Sequence, residues 1–405
     1  MNQTTPAQAE TGRETAVIPP YAWIILFAVF IASVAAPLNQ NKVPPLMPVL
    51  MDAFEITLSQ AGLLMSVFSI TGLVLALPAG FILQRFGPKA TGLIAVGSLI
   101  GGSALGGVAS SMALLLTSRV IEGVGMGLIA VVAPAIIAIW FPRQKQGIPM
   151  GIWATWVPVG SVLMLLLAPR MSDALGWQSV WWFGAAFALV ALLLYGVLLR
   201  LPPVVEEEVP NIAPPVPSFG RALANRDIWL IALAFGCFNF VFMPLVTYYP
   251  TFLSQVLGYS LADASTIASV STVTVLVSAP LAGWLSDRIG SRKLVMTVPF
   301  LLVAIMMIFP FRVSGWQIYA FLALLGLIAG AVPTATFAAA PEVMELPQLA
   351  GLGLAVVMVG QNLGMFVAPV VFGALVETSG WIVAGYWLIP FAVLGFVAGW
   401  LVKVR

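Results

Sequence analysis

A lysine stands inside an otherwise apolar stretch that reads Leu38-Asn39-Gln40-Asn41-Lys42-Val43-Pro44-Pro45-Leu46-Met47-Pro48. Asp52 marks one end of this stretch, and ten residues of helix carry Lys42 about 15 Å from it. A lysine at that depth in a bilayer costs about 2.5–3.5 kcal/mol on insertion scales. Two placements reduce the cost. The ammonium can snorkel to the surface along its apolar stem, or it can face a bundle interior or a water-filled path. The neighbouring residues favour the second. Pro44, Pro45 and Pro48 have no N–H, so the carbonyls of Gln40, Asn41 and Pro44 lose their helical partners. Unpaired carbonyls at membrane depth persist only where protein or water satisfies them. Polar side chains, a cation and an irregular backbone in one place suit a binding site, with Asn39, Asn41 and Lys42 as contacts. An ammonium at low dielectric selects an anion.

Arg119 and Glu122 form a second constellation. Spaced i, i+3 on one helix, they share a face. One reading is a self-neutralising structural pair, which lowers the cost of both charges. The other makes Arg119 a second anion contact and Glu122, the one carboxylate placed well inside a span, a proton site. Trp153 and Trp156 lie one turn apart, a spacing that serves packing as readily as a substrate platform. Asn239, Gln361 and Asn362 either bond a neighbouring helix or reach a ligand. Tyr248 and Tyr249 fit a helix interior or an interfacial aromatic belt. There is no histidine and a single cysteine, Cys237, so neither a disulfide framework nor a common metal-ligand set is expected. No cofactor-binding motif and no nucleophile–base pair is present, which argues against an enzyme.

The elements that must hold these residues are membrane helices. The chain has 405 residues, 61% hydrophobic and only 8% charged, against about 25% charged in soluble domains. The charges nearly balance, 17 basic to 15 acidic, so no nucleic-acid footprint is expected. Twelve apolar runs long enough to span fall near 21–51, 58–83, 90–110, 113–140, 148–169, 178–200, 228–255, 263–286, 293–311, 316–340, 350–375 and 381–402. Residues 1–20 are polar and read as a disordered cytoplasmic tail rather than a cleavable signal. Residues 201–227 hold Glu206, Glu207, Glu208 and several prolines and read as a cytoplasmic linker. This leaves two six-helix bundles, 21–200 and 228–405. With both termini inside, thirteen of the Lys and Arg residues collect on the cytoplasmic side and only Arg170 and Arg312 on the other.

The two bundles repeat. Gly80-Phe-Ile-Leu-Gln84-Arg85-Phe-Gly87-Pro-Lys89 follows the second run, and Gly283-Trp-Leu-Ser-Asp287-Arg288-Ile-Gly290-Ser-Arg292 follows the eighth, 203 residues later. The same offset takes Gly123 to Gly326 and Gly127 to Gly330. An offset of 204 takes Gly160 to Gly364 and Gly176-Trp177 to Gly380-Trp381. A parallel duplicate of six helices around a charged linker is the arrangement of alternating-access carriers with a site at the repeat interface.

These loop motifs, with Arg119-Val-Ile-Glu122-Gly123-Val-Gly125-Met-Gly127 in the fourth run, resemble the major facilitator superfamily over nearly the whole chain. The resemblance implies an all-α membrane fold of two pseudo-symmetric bundles, a central cavity, rocker-switch motion and usually a monomer. It also implies conformational gating by Gly80, Arg85, Gly87, Lys89, Gly283, Asp287, Arg288, Gly290 and Arg292. Gln84 replaces the acid that the family often carries in the first motif, which weakens one latch. The Asn–Lys–Pro stretch, Phe141-Pro142 and Gly151-Ile-Trp153 are similar to the cyanate and nitroimidazole permease branch, which carries a basic residue in the same helix. Nitrate and nitrite carriers resemble it less, because their arginines in helices 2 and 8 have no equivalent here. The expectation is a secondary carrier, a symporter in form, for a small anionic solute in a bacterial cytoplasmic membrane, with protons as a candidate coupling ion. Two alternatives stand beside it. One is a proton-coupled multidrug efflux pump, although the Gly-Pro-x-x-Gly-Gly pattern of drug–proton antiporters is missing from helix 5. The other is a non-transporting receptor or lipid-handling protein.

Overall fold

The computed structural model describes residues 18–75, 78–142, 145–200, 224–344 and 350–403. Most of the expected tail, the linker up to residue 223, and the side chain of Asp287 lie outside the described residues. All regular structure among the described residues is helical.

Proline and glycine set the helix boundaries. Helix α1 (Pro20–Gln40) starts with proline at its first position and stops before Pro44 and Pro45. A short 3₁₀ turn, Pro44–Leu46, leads into α2 (Met47–Phe54). There follow α3 (Leu58–Leu75), α4 (Pro78–Gly107), α5 (Met112–Trp140), α6 (Gly147–Ala154), α7 (Trp156–Leu175) and α8 (Gln178–Leu198). The second half comprises α9 (Arg226–Gln255), α10 (Leu261–Ile289), α11 (Arg292–Met306), α12 (Trp316–Ala329), α13 (Ala331–Val343), α14 (Ala350–Tyr386) and α15 (Leu388–Leu401). The expected spans map onto these elements. The first, fifth, tenth and twelfth are each divided between two α-helices, and the second runs from α3 into α4. The second and third meet at a sharp bend at Gly87 inside α4, and the eleventh and twelfth meet at Gly380 inside α14.

The duplication seen in the sequence is present in the packing. A Cβ on Gly123 would strike Phe68 and Thr71, and a Cβ on Gly326 would strike Ser271 and Thr274, each partner 203 residues further on. Gly127 abuts Leu75 and Gly330 abuts Ser278 at the same offset. The turns repeat as well: Gly176 adopts φ 82°, ψ 159° and Gly380 φ 79°, ψ 167°. Side chains other than glycine rarely adopt that backbone region.

Large apolar side chains such as Phe27, Leu193, Val197, Ile305 and Trp400 cover the perimeter. Among the described residues, ten helical segments are long and apolar enough to cross a bilayer. This is a multi-pass membrane protein, with lipid as the solvent for that belt.

The halves meet through α3 against α14 and α7 against α10. At the end bearing the Thr57 turn they are sealed. Ser59 N donates to Glu377 Oε1 (2.6 Å) and Ser59 Oγ to Val370 O (3.2 Å). Tyr248 Oη reaches Pro369 O (2.6 Å) and Leu58 O (3.3 Å). Gly62 and Gly373 lack the side chains that would block this approach. At the opposite end Gly80, Gly147, Gly151 and Gly351 face open space. No side-chain hydrogen bond joins the halves there among the described residues.

Candidate functional site

The break in helix 1 sits at the centre of a buried charge cluster. Because Pro44 and Pro45 cannot donate, the carbonyls at the end of α1 need other partners, and Arg119 on α5 supplies them. Its Nη2 donates to Gln40 O (2.8 Å) and its Nη1 to Asn39 O (2.7 Å), while Nε donates to Leu64 O on α3 (3.1 Å). A guanidinium at a helix C-terminus satisfies orphan carbonyls and complements the dipole. The expectation that the prolines leave Gln40 O without a helical partner is met by a cation from another helix.

Glu122, one turn further along α5, joins the two cations. Its Oε2 accepts from Arg119 Nη1 at 2.6 Å and its Oε1 from Lys42 Nζ at 2.6 Å. Lys42 also donates to Asn39 Oδ1 and Ser103 Oγ, both at 2.8 Å. An ammonium has three protons, and all three are used. All three charged side chains are fully buried. Lys42 therefore faces the bundle interior, with its ammonium taken up by protein partners, and does not snorkel to a surface. The expected lone Arg119–Glu122 pair is instead a triad with one positive charge in excess. A saturated, dry ammonium is the cheaper arrangement, because a buried cation without its full set of partners costs several kcal/mol.

Small residues make the room. A Cβ on Gly184 of α8 would lie 2.9 Å from Ser103 Oγ and 3.2 Å from Lys42 Nζ and would collide with Asn39 Oδ1. A Cβ on Gly102 of α4 would lie 2.7 Å from Glu122 Cγ. Aromatic faces close the remaining sides, with Trp181 4.8 Å from Lys42 Nζ and Phe68 4.7 Å from the Arg119 guanidinium carbon. Sequence reasoning passed over Ser103 and Gly184. The signal that could have pointed there is the Gly101-Gly102 pair, of which Gly102 is closely packed.

The other candidates separate into packed and open groups. Asn39 is held within the triad and also donates to Ala35 O (2.7 Å), and Asn41 bonds Pro37 O (2.8 Å) and Ser161 Oγ (2.9 Å). Asn239 donates to Phe235 O (2.8 Å) and Asn362 to Met358 O (2.9 Å), so both are tied to their own helices. Tyr248 and Tyr249 are buried, not belt residues, and Tyr249 Oη bonds Pro310 O at 3.0 Å. Trp153 Nε1 donates to Ser33 Oγ (3.0 Å), and its ring stacks on Trp156 at 5.5 Å and 14°. Gln361 is half-buried, with no hydrogen bond to its amide among the described residues.

Among the described side chains, those of the loop motifs stay within their own halves in this conformation. Lys89 Nζ caps Leu199 O (3.0 Å), and Arg292 Nε pairs with Glu342 Oε1 (2.7 Å). Arg85 and Arg288 lie over the neighbouring rings of Phe86 and Trp284. Gly87 and Gly290 both take positive φ, while Gly80 and Gly283 are only loosely approached.

The sequence profile of the Major Facilitator Superfamily matches residues 29–272 and 252–405. The chain belongs to that superfamily. It is therefore a membrane transporter for a small-molecule substrate, and not an enzyme. The probable sulfoacetate transporter SauU of Cupriavidus necator is 26% identical over 87% of this chain and 85% of its own length. The multidrug resistance protein MdtG of Citrobacter koseri is 28% identical over 72% of this chain and 73% of its own length. A solved bacterial homolog to the human lysosomal transporter Spinster superposes with TM-score 0.77 at 16% identity, covering 95% of this chain and 97% of that one, and shows the fold.

Within the superfamily fold the charge site is one-sided. At an offset of 203 from Lys42, Arg119 and Glu122 stand Leu245, Leu322 and Leu325. Together with Phe242 and with Leu165 from the N-half, these leucines line a mainly apolar pocket. The repeat has kept the backbone and replaced the chemistry.

Proposed function

We propose that this superfamily member is a secondary carrier of a small organic anion in a cytoplasmic membrane. The carrying observation is the net-positive triad of Lys42, Arg119 and Glu122 beneath the sealed end, with leucines at the mirrored positions of the C-half. Two cations against one carboxylate place a positive field opposite uncharged leucines at the matching positions of the C-half. The printed name of the sulfoacetate relative agrees in substrate class.

The bias of Lys and Arg makes the sealed end the outer one, with both termini in the cytoplasm. The halves, 21–200 and 228–405, are the rocking bodies. The anion enters between them, near Trp153, Trp156 and Gln361, with Asn239 and Asn362 beside it. Lys42 and Arg119 act on it mainly through their field in this conformation, since their N–H groups are engaged by protein. Glu122 is the proton site. Neutralising it removes the negative partner of both cations and frees Lys42 Nζ for an anion, which links proton and substrate in one step.

Uptake of sulfoacetate and related carboxylates into proteoliposomes, with and without an imposed pH gradient, tests this reading. Saturable anion uptake that Glu122→Gln uncouples from the gradient supports it. A multidrug pump, the activity that the name of the MdtG relative suggests, would instead move apolar cations such as ethidium and ignore the anions.

A further inference from the structure

Resting on the anion-carrier reading, we infer that Gln40, between the two asparagines of helix 1, is a direct substrate contact and sets anion specificity. Its side chain is 4% exposed. Its backbone carbonyl is held by Arg119 at 2.8 Å, yet its side-chain amide has no hydrogen-bond partner among the described residues. Its neighbours are all occupied: Asn39 by Lys42 and Ser103, Asn41 by Ser161. The amide atoms are not among the fully enclosed unpaired polar atoms of the described residues, so the amide meets accessible space at the edge of the charge site rather than packed protein.

Direction supports the assignment. On an ideal helix Gln40 lies roughly 220° from the exposed Phe27 and roughly 160° from the exposed Ile24, so it faces away from lipid and into the protein. It shares a stripe with Ser33, two turns away and about 10 Å nearer the open end. Ser33 is the residue that holds Trp153, and Trp153 stacks on Trp156. From the other half Gln361 points inward too, roughly 200° around α14 from the exposed Leu363. Gln40 is buried and Gln361 half-buried, and neither amide has a hydrogen-bond partner among the described residues.

The triad then has a second task. Arg119 clamps Asn39 O and Gln40 O, and Lys42 clamps the Asn39 side chain, so the cations fix the broken end of α1 and with it the Gln40 amide. The NH₂ group of Gln40 donates to one oxygen of a carboxylate or sulfonate, and the field behind it selects charge. Lys42 and Arg119 are positioning residues in this state, and Gln40 is the group that touches the solute.

The test measures sulfoacetate and glucuronate uptake by wild-type, Gln40→Glu and Gln40→Met proteins in proteoliposomes, with melting curves for each. The expected result is a KM raised about 10-fold or more in both variants, most in Gln40→Glu, where a carboxylate meets the anion. Maximal rate should stay within about 3-fold, and Gln40→Met should melt no lower than wild type because no protein hydrogen bond is lost. Saturable wild-type uptake with an unchanged KM in both variants overturns the assignment of Gln40 while leaving the anion reading intact. Failure of the wild type to take up either anion overturns both.

Discussion

Lys42 Nζ and Glu122 Oε1 lie 2.6 Å apart across 80 residues of chain, both fully buried, in a protein whose second half carries leucines at the matching positions. The pair joins the broken end of α1 to α5. Because Arg119 shares the same carboxylate, the three residues respond to substitution as a unit.

Their removal is therefore asymmetric. Glu122→Gln leaves two cations facing each other in a dry site and should lower stability by about 3–5 kcal/mol. Lys42→Met leaves Arg119 and Glu122 as a neutral pair and should cost markedly less. Thermal melting in detergent checks the order. The double variant should melt above Glu122→Gln alone, since it removes one of the two unpaired cations.

Arg119→Lys preserves the charge and loses the fork. One ammonium has three donors and cannot reach Leu64 O, Asn39 O, Gln40 O and Glu122 together. The expected outcome is loss of transport by at least about 10-fold, with a melting temperature below that of Lys42→Arg. Equal transport by wild type and Arg119→Lys would mean that the helix break needs no cap.

Adjacent glycines give a contrast that composition cannot explain. Gly102→Ala places a methyl against Glu122, whereas Gly101 has nothing within 4 Å. Gly102→Ala should destabilise by about 1–3 kcal/mol, and Gly101→Ala should be neutral or stabilising by up to about 1 kcal/mol. Melting curves of the two single variants decide it. Gly184→Ala should behave like Gly102→Ala.

The fold was legible because its determinants are periodic. Long apolar runs, the two loop motifs and glycines at one offset identify two six-helix repeats, and glycines 123 and 326 meet equivalent neighbours. The ion site was legible by residue type, since Lys42, Arg119 and Glu122 stand out in lipid. Its geometry was not. Sequence spacing relates Arg119 to Glu122 on one helix but says nothing of Lys42, 80 residues away, reaching the same carboxylate. Nor does it show that Ser103 and Asn39 use up the ammonium, because those contacts arise from how α1, α4, α5 and α8 pack. Gln40 looked like its neighbours Asn39 and Asn41, and only their hydrogen bonds set it apart.

The sealed end offers a prediction about motion. Thr57 and Gln60 cap the start of α3 reciprocally, and Glu377 from the other half takes the N–H of Ser59. Opening must break that contact and withdraw Tyr248 from Leu58 O. Glu377→Gln removes a charge-assisted bond, about 1 kcal/mol, and should shift the two-state balance about fivefold toward the open outer state. Gly373→Leu, which drives a side chain into Ser59, should shift it further. Labelling of Ser66→Cys, buried one turn from Gly62 on α3 with no hydrogen bond to lose among the described residues, by an impermeant maleimide should rise in that order.

The central claim is that the buried, net-positive triad makes this transporter a carrier of organic anions. The most direct measurement is saturable uptake of radiolabelled sulfoacetate by proteoliposomes holding wild-type protein or Lys42→Met, at equal reconstituted amounts. The account predicts uptake by wild type, inhibition by other small carboxylates and sulfonates, and loss of at least about 10-fold in Lys42→Met. Undiminished anion uptake by Lys42→Met, or wild-type vesicles that move only apolar cations, would contradict it.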